Sequence, residues 1–499
     1  PKNIFQVFRP ACKKLIVVLV FLIACDVLAL STSYSQDSSS WLRFLNVVGP
    51  AILFVFPLAT AFSILRRYPT AVWTPALLYF ISTSIFFGLG PLVYPFGNEA
   101  TKYFLNRNVV TSVTEAELFR TNLLNAVGTL AVTLTIYGLV GLKYFQRSGR
   151  LDLPQRKPRT SLALTAIFFV SVGGALRFFV ILPYAFGMTT FVVPGIVNNL
   201  GNLIDLGLTI VAYLATQRRG LWAKSLWIIW PIHLLTVILE FKKSALMIAL
   251  LLPALGAYLA NGKGKKLLIW VLAAAAVYYL SQPFVHYGRG IIKADTGYIE
   301  RATLQKRYNL TKAYFTQEDV FLLQANSGSS QDRSLAQSGW TRLSSAGPQS
   351  FAMKEYDAGR PGTTLKNAWI VFIPRVLWPN KPVGIGPGRA FYETVTGHAR
   401  QANLGLSIYG DGYWQGGWVG LSMLSSLMGA IFLIMSKFSL DWIERREMIF
   451  LPIIFISIQM AVLGTTGFFL NKILGPLPIY IAYTAAVNFF LSNFSMPKQ

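Results

Sequence analysis

The length of its apolar blocks constrains this chain more than any other feature. Twelve of them occur, at 15–31, 44–64, 72–94, 121–142, 161–185, 195–215, 222–240, 244–260, 267–285, 413–436, 448–468 and 474–492. Roughly 17 to 25 residues is the length at which a helix crosses a hydrocarbon layer of about 30 Å. A backbone inside lipid must satisfy its own polar groups, and a helix does so within one segment. The ten-residue alternation of a membrane barrel is absent. Only 13% of the residues are charged, against roughly 25% in an ordinary soluble domain. The expected fold is all-α: a polytopic transmembrane helix bundle of about 12 spans with one large, partly helical periplasmic loop. Residues 1–285 are expected to carry helices 1–9, 286–412 the loop, and 413–499 helices 10–12.

The net charge of +25 invites a nucleic-acid reading, but the placement of the charge argues against it. With the N-terminus inside, the cytoplasmic pieces hold 22 Lys or Arg and the short outer loops seven: Arg43, Lys102, Arg107, Arg120, Lys242, Lys243 and Lys472. This is the positive-inside rule, and it puts both termini in the cytoplasm and the chain in an inner membrane. No nucleic-acid partner is expected. Cys12 and Cys25 form neither a disulfide framework nor a zinc spacing. The basic start (Lys2, Arg9, Lys13, Lys14) resembles a signal-peptide n-region, but Asp26 interrupts the apolar run, so an uncleaved first span is expected.

Ionisable residues inside spans are expensive and read as functional by default. Asp26, Arg177, Asp205 and His233 lie within spans; Glu240, Lys242 and Lys243 lie where two spans meet; His286 and Arg289 lie just past the ninth. Most fall at outer-leaflet depth. The alternative is internal pairing, for instance Arg177 with Asp205 or Asp26.

The connection 286–412 is 127 residues long and mostly polar, with 15 Lys or Arg against nine Asp or Glu. By span parity it lies outside. Its cations include Arg342, Arg375, Lys381, Arg389 and Arg400, and its other titratable groups Asp357, Glu393, His398 and Asp411. Arginine suits phosphate because its planar fork donates two parallel hydrogen bonds. A basic loop that merely docks on anionic lipid is the competing explanation. Trp378, set between prolines, and Tyr409 are candidate sugar-stacking rings, whereas Trp414 and Trp418 fit an interfacial aromatic belt. There is no Walker A motif, GxSxG elbow or HExxH helix. The first outer loop holds one acidic residue, Asp37, and lacks the acidic pair common in membrane glycosyltransferases that use polyprenyl-phosphate sugars.

Within the loop, "FIPRVLWPNKP" (372–382), the glycine-rich turn at Gly384, Gly386 and Gly388, "GRAFYE", and "GDGYWQGGWVGL" (410–421) resemble the oligosaccharide repeat-unit polymerases, the Wzy-type O-antigen polymerase group. "FKKSALM" (241–247) is similar to a further recurrent feature, a basic residue beside a small one where a span leaves the outer face, although lysines stand where arginine is usual. The resemblance is strong over 366–425 and absent as sequence over the first 220 residues. It implies a bacterial inner-membrane glycosyltransferase. Such an enzyme transfers a growing glycan from undecaprenyl diphosphate to a new lipid-linked repeat unit at the periplasmic face, without metal, cofactor or nucleotide sugar. The expected partners are the undecaprenyl-diphosphate-linked oligosaccharide, membrane lipid, a chain-length regulator and a flippase. On this view Arg375, Asp357, Glu393 and His398 are catalytic candidates. Arg289, Lys242, Lys243, Arg177, Lys381 and Arg389 hold the diphosphate, and Trp378, Tyr409 and Asp411 contact sugar. An O-antigen ligase with the same donor remains open through His398 and His286, as does a transporter or flippase for lipid-linked glycans.

Overall fold

The computed structural model describes residues 4–32, 38–107, 110–142, 161–189, 193–218, 220–296, 302–316, 340–363, 378, 387–397, 404–463 and 476–494. They are predominantly helical, with no strand among them. The helices are α1 (Ile4–Thr32), α2 (Ser38–Arg67), α3 (Pro75–Thr83), α4 (Val93–Phe96), α5 (Glu99–Arg107), α6 (Glu115–Val140), α7 (Leu162–Leu176), α8 (Gly195–Gly201), α9 (Leu203–Arg218), α10 (Leu221–Leu239), α11 (Lys243–Asn261), α12 (Gly264–Thr296), α13 (Leu304–Thr316), α14 (Ala346–Asp357), α15 (Pro387–Thr396), α16 (Ser407–Glu444), α17 (Leu451–Leu463) and α18 (Pro476–Phe494). Among the described residues each of the twelve apolar blocks lies mainly on helix, and eight helical stretches are long and apolar enough to cross a membrane. The third block is broken into a 3-10 turn (Pro69–Trp73), α3, a π segment (Ser84–Leu89) and α4.

Large apolar side chains face outward on several of these helices. On α10, Trp227 is 73% exposed, and on α12 Leu280 is 73% exposed. Water would penalise such a surface heavily, whereas lipid solvates it. The chain is therefore a helical membrane protein.

The chain forms two compact units. The first comprises 1–156, 335–445 and 453–481. Its core joins α1, α2, the π segment, α6 and α16 through Phe8, Leu53, Phe87, Leu124, Met428 and Phe432, among others. The helices approach closely where a glycine leaves room. A Cβ on Gly88 would lie 2.4 Å from the Phe54 backbone nitrogen, and one on Gly429 2.8 Å from the Val132 carbonyl. α6 starts with a capping box: Glu117 N–H donates to the Thr114 hydroxyl at 3.3 Å, and Thr114 N–H to the Glu117 carboxylate at 3.1 Å.

The second unit comprises 157–334, 446–452 and 482–499. Here α9 is buried along Leu203–Leu214 and packs against both α7 and α11. Small residues again set the spacing. A Cβ on Gly173 would lie 2.2 Å from the Ile204 nitrogen, and one on Gly256 2.0 Å from the Thr209 carbonyl. This is the close, small-residue packing that holds helices together where the hydrophobic effect between them is weak.

Candidate functional site

In the second unit, α7 runs into a π segment, Arg177–Ile181, before a short turn of helix, Leu182–Ala185. Such wide turns often mark functional positions. Arg177 begins it and is 6% exposed. Its Nη2 donates to Glu240 Oε1 at 2.5 Å, while Lys242 Nζ meets Glu240 Oε2 at 3.1 Å. Glu240 follows α10 directly and is 2% exposed. Phe241 then takes a left-handed backbone (φ 53°), which turns the chain into α11. The internal pairing anticipated for Arg177 is thus present, but with Glu240 and not with Asp205 or Asp26. Asp205 instead meets His233 Nε2 at 2.7 Å, and the buried His233 Nδ1 has no hydrogen-bond partner.

Around the same turn lies Arg307, 1% exposed, which the sequence had not distinguished from other loop cations. From α13 it donates Nε to the Ala302 carbonyl (3.0 Å), Nη1 to Leu239 (3.0 Å) and Nη2 to Ala185 (2.7 Å). Leu239 and Ala185 each end a helix. A cation against two helix C-termini satisfies orphan carbonyls and matches both dipoles. Lys243, at the start of α11, is 9% exposed. Arg289 is half-buried on α12. Its neighbour Gly288 abuts the turn, since a Cβ there would lie 2.4 Å from the Phe241 ring. Lys242, Lys243, Arg177 and Arg289 therefore share one unit, where one carboxylate, Glu240, is bonded to two cations.

In the first unit, the loop helix α14 docks on α6 and α16. Gln349, fully buried, donates its amide to Asn125 Oδ1 (2.7 Å) and to the Ser407 hydroxyl (2.8 Å). At the end of α14, Asp357 accepts from Arg120 Nη2 at 2.8 Å and from the Tyr413 hydroxyl at 2.9 Å, and its side chain stays 39% exposed. Tyr413 is presented by the "GDGYWQGG" segment. That segment forms the first turns of α16 and ends in a sharp kink at Gly416–Gly417. Gly417 needs to be glycine on two counts: φ is 58°, and a Cβ would lie 2.8 Å from the Tyr356 ring. Near the C-terminal end of α14, Glu355 takes both Arg360 Nε and Nη2 at 2.7 Å, and this guanidinium holds its carboxyl below the usual carboxylate range.

Tyr409 and Asp411 are enclosed by protein, 0% and 3% exposed. The Tyr409 hydroxyl meets those of Tyr79 (2.5 Å) and Thr129 (3.3 Å), and its ring rests on Gly128. Asp411 accepts from Gln415 Nε2 at 3.3 Å. Glu393 is half-buried on α15, and Trp378 is half-exposed. Arg375, Lys381 and His398 lie outside the described residues, as does the side chain of Arg389.

Comparison with known protein families, with curated proteins and with solved structures finds no match to this chain. Fold and geometry define a helical membrane protein with a buried cationic turn in one unit and an arginine- and tyrosine-held carboxylate in the other.

Proposed function

We propose that this protein is a polymerase of lipid-linked oligosaccharide repeat units, a metal-independent glycosyltransferase working at the periplasmic membrane face. The observation that carries this proposal is the place of the loop motif. The "GDGYWQGG" segment that resembles the polymerase group is the element whose Tyr413 grips Asp357. In the proposed reaction an acceptor hydroxyl attacks the anomeric carbon of the donor glycan. The bond from that carbon to the diphosphate breaks, and undecaprenyl diphosphate leaves with the electron pair. The acceptor proton passes to a carboxylate or imidazole, with Asp357, Glu393 and His398 as candidates. Charge grows on the leaving diphosphate, and preorganised cations lower that cost. The turn bearing Lys242 and Lys243, with Arg289 close by in the same unit, has the charge for this task. Arg177 is already engaged by Glu240 and fits a positioning role better. The positive-inside bias supports a periplasmic placement of the loop.

The test is radiolabelled lipid-linked repeat unit added to the purified protein. Lengthening of the glycan is the expected result. Transfer to lipid A core instead would make the chain a ligase, and neither product would leave a transporter or scaffold.

A further inference from the structure

The first unit contains a cavity of about 580 Å³ bounded by Arg43, Asn46, Tyr94, Lys102, Asn106 and Glu115, among others. None of these is among the residues assigned to chemistry above. Its size falls within the range of small-molecule sites. It opens where α2 and α6 begin and α4 and α5 meet, beyond the apolar stretches of those helices.

Two of the three charges of its wall are paired with each other, and the third, Lys102, leans on Glu99 outside the wall. Arg43 Nε pairs with Glu115 at 2.7 Å, and Lys102 Nζ lies 3.4 Å from Glu99. At the start of α6 the capping box already uses the Thr114 and Glu117 N–H groups. What remains is a surface of amides, a paired carboxylate and guanidinium, and one lysine. Asn46 is held rigidly: its amide donates to the Glu115 carbonyl at 2.9 Å, and its oxygen accepts from Asn122 at 3.1 Å. Tyr94 is fixed by its hydroxyl, which donates to the Thr111 carbonyl at 2.8 Å, and it lines the cavity. Paired donors and acceptors beside a fixed aromatic face match vicinal hydroxyls and the flat CH face of a pyranose. A phosphate is better suited by the cationic turn of the second unit, where Lys242 and Lys243 stand together with Arg289 close by.

We infer that this cavity binds the uncharged sugar residues of the lipid-linked glycan, separately from its diphosphate. This rests on the proposed function for the identity of the glycan. The full-length protein in neutral-lipid nanodiscs is titrated with two probes. One is the oligosaccharide released by mild acid from the lipid-linked pool of the cells that make the protein; the other is undecaprenyl diphosphate without sugar. Arg43→Gln and Asn106→Ala should weaken oligosaccharide binding about ten- to a hundredfold, the range for losing a charge-assisted hydrogen bond. Affinity for undecaprenyl diphosphate and the thermal unfolding midpoint should stay unchanged. In a second measurement, the oligosaccharide should slow maleimide labelling of Asn106→Cys. Equal oligosaccharide binding by wild type and folded variants, unslowed labelling, or a parallel loss of undecaprenyl diphosphate binding would overturn the inference. Cavity-dependent binding by a protein that lengthens no glycan would remove the polymerase proposal and leave the sugar site. Chain growth with cavity-independent binding would do the reverse.

Discussion

Arg177 and Glu240, 63 residues apart in the chain, form an ion pair that is sealed from solvent on both sides, their side chains 8% and 3% exposed. Desolvation opposes burying each charge, and only the partner and its hydrogen bonds offset it. Removing one member should therefore cost more than the pair contributes. Glu240→Gln is expected to destabilise the protein by about 3–5 kcal/mol. The double variant Arg177→Met/Glu240→Leu should recover most of that loss. The unfolded fraction in mixed micelles across a denaturant series reads both. A Glu240→Gln protein as stable as wild type would mean that the pair is not formed in the membrane.

Half of that relationship was legible in the sequence. A lone arginine inside an apolar block announces a partner, but spacing alone does not choose among Asp26, Asp205 and Glu240. The choice depends on how α7 and α11 pack on α9, where close glycine contacts set the spacing. Arg307 was harder still. It sits between Lys306 and Lys312 in a polar stretch, and nothing local separates a cation that caps two helix ends from one in solvent. Gln349 was hidden in the same way inside a serine- and glycine-rich run. The broken third block was read as a single span because hydropathy is blind to a π segment imposed by contact with α2. By contrast, the apolar blocks and the "GDGYWQGG" motif were visible, since block length and paired glycines are local properties, while the kink at Gly416–Gly417 came only with the structure.

The Glu355–Arg360 pair supplies a pH dependence outside the spans. Arg360 lowers the Glu355 pKa in the folded protein. The unfolded carboxylate binds a proton more readily, so the pair stabilises the fold above the unfolded value and is lost as pH falls through the folded one. Docking of α14 should weaken on acidification to below about pH 4.5, the ordinary glutamate range. Hydrogen exchange of α14 amides, followed from pH 7 downward, should rise in wild type. Glu355→Gln should show the faster exchange already at neutral pH and lose the acid step. An acid step of the same size in Glu355→Gln would assign it to another group.

Orientation can be tested on described, exposed positions. The charge bias places α13 outside and the α11–α12 turn inside. Asn309→Cys should react with an impermeant maleimide in intact spheroplasts, and Lys265→Cys only after lysis. The opposite pattern would invert the topology and move every proposed site to the cytoplasm.

The cations proposed for the diphosphate should separate from merely basic surface by their resistance to salt. Lys242 and Lys243 stand on the turn that closes on Glu240, and Arg289 follows the glycine that packs on that turn. Lys312, on the exposed side of α13, has no such setting. A charge-assisted hydrogen bond to a desolvated phosphate is worth about 1.5–3 kcal/mol, a ten- to hundredfold effect. A surface cation attracting anionic lipid is worth about 1 kcal/mol, and salt screens it. Arg289→Ala and Lys242→Ala should therefore cut chain growth by at least tenfold at both low and high ionic strength. Lys312→Ala should have little effect at either. Arg375→Lys keeps the charge of the loop motif but loses the planar fork, and it should abolish polymer while the protein level stays normal. If Arg289, Lys242 and Lys312 variants all lose activity equally, and only at low salt, the turn is a lipid-docking surface and not a diphosphate site.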